Sequence, residues 1–138
     1  MLRRNQKIDL LRKVPLFARC SKRELAEIAT LADEIDFREG KRLIREGASG
    51  REFFVLLDGA VEVTRDGRRI NQLGPGDFFG EIALVAPSAT RTATVTASTP
   101  VEALVVTAQN FRRLLDRSPH IKLKVLEAVA ERLSPAGI

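Results

Sequence analysis

Between about Asp36 and Val106 the chain repeats one arrangement, short runs of Val, Ile, Phe and Leu closed off by glycine at Gly40, Gly47, Gly50, Gly59, Gly67, Gly74 and Gly76. Evenly punctuated short apolar runs read as strands and turns, and their spacing suits a barrel or a sandwich. The clearest element is "VEVTRDGRRINQL". Val61 and Val63 alternate with Glu62 and Thr64, Asp66-Gly67 supplies a two-residue hairpin turn, and Ile70 and Leu73 fall on the return strand. "TATVTASTPVEALVV" predicts a second strand pair, with Thr99-Pro100 as its corner.

Helical periods flank this zone. Ser21-Lys22-Arg23-Glu24 matches a capping box, in which hydroxyl and carboxylate each satisfy an amide at a helix start. Leu25, Ile28, Ala29 and Leu31-Ala32 follow as an apolar face. Ahead of them, "LLRKVPLF" predicts a short helix that breaks at Pro15 and leaves Phe17 as a plug. After the strands, Thr107 is a cap candidate for a helix carrying Phe111, Leu114 and Leu115. Ser118-Pro119 starts another, since proline suits the first helical position. Its expected stripe is Ile121, Val125, Leu126 and Val129, running to about Leu133.

With 138 residues, one domain spanning 1–138 is expected: helical to about 35, strands over 36–106 and helices over 107–133. No apolar run approaches the ~20 residues of a membrane helix and no secretory signal is visible, so the expected location is cytoplasmic. The single cysteine, Cys20, has no internal disulfide partner and reads as a packing residue. Charge is uneven, residues 1–24 holding eight Lys and Arg against Asp9 and Glu24. Such a patch can hold nucleic acid, anionic lipid or an acidic partner surface, but most charged helix faces are merely solvated.

Catalytic chemistry is hard to build here, and no enzyme is expected. His120 is the only histidine, so a cupin-type metal site lacks its ligands, and Cys20 and His120 sit in no supporting motif for a nucleophile. "GPGDFFG" places its third glycine one position too late for a dinucleotide fingerprint.

Phe79-Gly80-Glu81-Ile82-Ala83-Leu84 offers something different. A glycine opening a single helical turn leaves amides pointing outward, where an anion fits. Glu81 has the wrong sign for phosphate, but an ionised carboxylate accepts hydrogen bonds, and a ribose hydroxyl is the natural donor beside a nucleotide phosphate. Arg91, set among the small and β-branched residues of "TRTATV", has a guanidinium that forks onto phosphate oxygens. The alternative is an ion pair between Glu81 and Arg91 that pins turn to strand.

"GDFFGEIALVAPSATRTATV" closely resembles the phosphate-binding cassette of cyclic nucleotide-binding domains, through Gly76, Phe79, Gly80, Glu81, Ala83 and Leu84 followed by Arg91, Ala93 and Thr94. "VPLFARCSKRELAEIA", "GASGREFFVLLDGAVEV" and "FRRLLDRSPHIKLKVLEAVAERL" resemble other parts of the same family. The resemblance implies an α+β, mainly β fold: an eight-stranded jelly-roll β-barrel with its cassette over residues 76–94, N-terminal helices and two C-terminal helices, one a lid. It further implies that the ligand is cAMP or cGMP, with no other cofactor. The amides of Gly80, Ile82 and Ala83, beside Phe79, would hold the cyclic phosphate together with Arg91, and Glu81 would take the ribose 2′-hydroxyl. Thr92 would lie near phosphate and base, and Leu123 and Leu126 would be lid contacts. The expected output is a conformational change passed to a protein effector. Competing expectations are an interaction module without nucleotide response, or a DNA-binding regulator; no helix-turn-helix segment is visible, so DNA binding would fall to the basic N-terminus.

Overall fold

In the computed structural model, which describes residues 2–133, the alternating runs become β1 (Asp33–Phe37), β2 (Arg42–Ile44), β3 (Glu52–Asp58), β4 (Val61–Arg65), β5 (Arg68–Leu73), β6 (Phe78–Phe79), β7 (Thr94–Ala97) and β8 (Val101–Thr107). Met1 and residues 134–138 of the expected domain lie outside the described residues. The strands pair antiparallel in two four-stranded sheets, ordered β1-β8-β3-β6 and β2-β7-β4-β5. The described ladders divide between these sheets and do not close into one barrel.

Both sheets turn side chains into one core, which holds Ile44, Phe54, Leu56, Val61, Val95, Ala97, Val101, Ala103 and Val105. Each large apolar side chain fully buried there contributes about 1.5–3 kcal/mol against exposure. Phe54 stacks on Phe79 at 4.9 Å between centroids and meets Phe37 edge-on at 6.1 Å. Such geometries favour the ring quadrupoles and link β3 to β6 beyond their two paired residues.

The hairpin forms at Asp66-Gly67, whose φ values of 53° and 76° are the two left-handed residues that its tight turn demands. Register shifts between Val63, opposite Asn71, and Thr64, opposite Arg69, so Ile70 bulges out and is exposed. The expected second strand pair is corrected. β7 and β8 both exist, but they run through the Thr99-Pro100 corner into different sheets. The corner is tied instead to the β3–β4 turn: Ala60 N donates to Thr99 Oγ1 at 3.0 Å, and Ser98 N donates to Ala60 O at 3.0 Å.

These strands, residues 33–109, form one compact unit; a second takes in residues 2–32 and 110–133. The helical elements are α1 (Arg4–Arg12), a 3₁₀ turn (Pro15–Phe17), α2 (Lys22–Ala29), α3 (Ala108–Arg117) and α4 (Pro119–Leu133). The capping box is present at α2: Ser21 N donates to Glu24 Oε1 at 2.7 Å, and Glu24 N donates to Ser21 Oγ at 3.2 Å. Phe17 is fully buried, 5.7 Å from the Phe111 ring. On α4 the buried stripe is Ile121, Val125 and Ala128, the i, i+4, i+7 positions. Leu126, expected in that stripe, is one residue and so about 100° off it, and is exposed.

Charged side chains join α4 to the start of the unit. Lys124 Nζ donates to Glu24 Oε1 at 2.6 Å, and Arg19 pairs with Glu127 and Glu131. His120 Nε2 lies 3.8 Å from Glu24 Oε2 and 3.7 Å from Glu27 Oε2. Burial pushes the half-buried Cys20 thiol up to about 11, Glu24 adding to the effect and Lys124 opposing it. Among the described residues, no helix is long and apolar enough to cross a membrane.

Candidate functional site

The site begins where β6 stops. Gly80 has φ 82° and ψ 15°, a left-handed conformation that turns the chain out of the strand and caps the 3₁₀ turn Glu81–Leu84. Ala83 N donates back to Gly80 O at 3.2 Å, and Ala86 N to Ile82 O at 2.8 Å. Ala83 and Leu84 are buried and anchor the turn, while Ile82 is 47% exposed. Glu81 is only 7% exposed, unusual for an acidic residue at the mouth of a cleft.

Arg91 lies just ahead of β7, in a segment with its own pairing rather than within the strand. Its amide donates to Ala48 O at 2.8 Å, its carbonyl accepts from Gly47 N at 2.8 Å, and Ser49 bridges Thr90. With the backbone held on both sides, the side chain reaches across to the turn. Nη2 donates to Glu52 O at 2.6 Å, and Nη1 lies 3.5 Å from Gly80 O. Burial lowers the Arg91 pKa, and Glu52 partly opposes this. A cation held by carbonyls in a partly desolvated place is set to gain from an anion.

Around this arginine opens a cleft of about 600 Å³, within the range of small-molecule sites. Phe79, Gly80, Glu81, Ile82, Ala83, Arg91 and Thr92 all line it, so the cassette residues singled out in sequence meet in one place. The opposite wall is Val63 and Arg65 of β4 with Ile70, Asn71 and Leu73 of β5. Leu123 and Leu126 belong to α4 of the helical unit, where they are 58% and 56% exposed.

Sequence reasoning passed over several residues. Arg65 Nε donates to Thr92 O at 2.9 Å, tethering the residue after Arg91. Its only sequence signal is a charge at a strand end beside a turn. The Glu52 carbonyl left no signal, because any residue carries one. Gly50 lies against the Arg91 side chain but reads in sequence as one more turn glycine. Among the described residues, no group of three or more His, Cys, Asp or Glu is arranged to hold a metal ion.

Residues 34–118 match the family model of the cyclic nucleotide-binding domain. The chain belongs to this family. Over the whole of its length it is 32% identical to the cGMP-dependent protein kinase egl-4 of Caenorhabditis elegans. It is 36% identical, over 83% of its length, to the same-named kinase of Caenorhabditis briggsae. The chain spans only 19% and 16% of those two kinases. A solved N-terminal domain of a transcriptional regulator from Streptomyces coelicolor superposes with a TM-score of 0.82 at 34% identity, covering 93% of this chain and 94% of that one. A cyclic nucleotide-binding-like protein from Brucella abortus gives a TM-score of 0.73 at 30% identity, covering 80% and 98%. Membership gives the domain a ligand class, cyclic nucleotides, and marks it as regulatory rather than catalytic.

Proposed function

We propose that the chain is a cyclic-nucleotide sensor domain whose ligand, cAMP or cGMP, lies in the cleft between the Gly80–Ala83 turn and β4–β5. The observation that carries this reading is the juxtaposition of Gly80, buried Glu81 and the Arg91 guanidinium on one cleft. Arg91 forks onto the cyclic phosphate, which adds the opposite charge that the neutral carbonyls of Glu52 and Gly80 do not supply. The Gly80 and Ile82 amides at the start of the turn add donors, while the Ala83 amide is already bonded to Gly80 O. Glu81 accepts the ribose 2′-hydroxyl, and Phe79 backs the pocket. Thr92 and Arg65 stand at the base end, with Val63, Ile70 and Leu73 as its apolar wall.

In this reading the two sheets form a jelly roll, the whole chain acts as one domain, and α4 is the mover, with Leu123 and Leu126 meeting the base. Ligand shifts such an equilibrium only by its differential affinity, and a swing from 1:99 to 99:1 needs about 5.5 kcal/mol. The effector is a protein partner, in the cytoplasm. The kinase and regulator names of its relatives support a sensor coupled to a larger machine.

Isothermal calorimetry with cAMP and cGMP side by side tests the proposal. Micromolar binding of either, worth about −8 kcal/mol, is expected. Absence of heat and of thermal stabilisation with both ligands overturns it in favour of an interaction module without nucleotide response.

A further inference from the structure

Most of the glycines in the strand unit owe their place to backbone conformation. Gly40, Gly47, Gly59, Gly67, Gly76 and Gly80 all have positive φ, between 76° and 89°. Gly50 does not, so conformational freedom is not what it provides. What distinguishes it is space. A Cβ built on Gly50 would stand 2.2 Å from Arg91 Nε, 2.4 Å from Cζ and 2.7 Å from Cδ. On Gly80, a Cβ would stand 2.8 Å from Arg91 Nη1. The arginine therefore lies in a slot between two glycines from separate segments.

We infer that Gly50 is a positioning residue for the ligand site: its missing side chain is the shelf that lets the Arg91 guanidinium reach the Gly80 turn. The backbones have little room to yield. Gly50 N donates to Ala89 O, Ser49 bridges Thr90, and both backbone groups of Arg91 are bonded to residues 47 and 48. The flexible part is the Arg91 side chain itself. A methyl at position 50 leaves the fold standing and pushes the guanidinium off Glu52 O and Gly80 O, out of line with an incoming phosphate. A misplaced guanidinium forfeits charge-assisted bonds to the phosphate, a loss worth about tenfold or more in affinity.

The binding arm of the test rests on the proposed cyclic-nucleotide function; a spectroscopic arm does not. Gly50→Ala, Arg91→Ala, the double variant and Gly74→Ala are compared with the parent, Gly74 having ordinary φ and open space around its would-be Cβ. The Arg91 Nε–H resonance in a ¹⁵N–¹H spectrum should move in Gly50→Ala and stay in Gly74→Ala. Cyclic nucleotide affinity should fall at least about tenfold in Gly50→Ala, and adding Gly50→Ala to Arg91→Ala should cost nothing further. An unmoved Nε resonance overturns the inference, as does an affinity loss that persists in the Arg91→Ala background. If Gly50→Ala melts well below the parent, restoration by Arg91→Ala supports the clash, and failure to restore refutes it. A parent that binds no cyclic nucleotide sinks the proposed function, while the resonance still decides the role of Gly50.

Discussion

Arg91 holds two backbone carbonyls through its side chain while its own backbone is bonded on both sides, so its loss removes a charge from a place built around it. Arg91→Ala should fold and bind cyclic nucleotide at least about tenfold more weakly in calorimetry, since truncating one partner of a buried charge pair costs roughly 2–5 kcal/mol. Glu81→Ala should erase the preference for a ribose over a 2′-deoxyribose ligand; equal loss for both would remove Glu81 from the sugar. These residues stood out in sequence because each is chemically out of place, an acid at a turn start and a base among small residues. Gly50 and the Glu52 carbonyl did not stand out. Their roles depend on distance in space, and neither a missing side chain nor a backbone oxygen leaves a signature in the residue string.

Within the elements, legibility followed range. The α2 capping box and the Asp66-Gly67 turn are set by neighbours a few residues apart, and both formed as read. The β7–β8 pairing was misread because sheet membership is decided by strands far along the chain. The α4 stripe was misread because Leu126 is apolar yet falls off the buried face, and hydrophobicity alone does not assign the face. Ser21→Ala should cost about 1 kcal/mol, read from the urea midpoint at unchanged slope. Glu24 links this cap to α4. Burial raises its pKa, but the bonds from Lys124 and Ser21 outweigh that and hold it below the ordinary 4.5. A carboxyl lowered by folding stabilises the fold above its unfolded value and loses that contribution as pH falls through the folded one. Melting temperature should therefore drop more steeply below pH 4.5 in the parent than in Glu24→Gln.

For the whole molecule, the strand zone and its flanking helices were legible because period and punctuation run through long stretches. The choice between a closed barrel and two sheets stayed open, since alternation marks a strand without naming its neighbour. The proposed sensor role calls for a response beyond the cleft, so hydrogen exchange over residues 119–133 should slow when cyclic nucleotide binds; equal protection with and without ligand would make α4 a bystander. The chain also carries its own reporter. With its thiol raised from 9.0 to about 11, Cys20 in the folded helical unit holds roughly a hundredfold less thiolate than an unstructured cysteine. A thiol reagent applied near neutral pH thus meets a weakly nucleophilic thiol in the folded unit and a more reactive one wherever that unit opens. With a single cysteine in the sequence, labelling reports on one place, and a rate that changes when nucleotide is added would show that the helical unit feels the ligand, with no added probe.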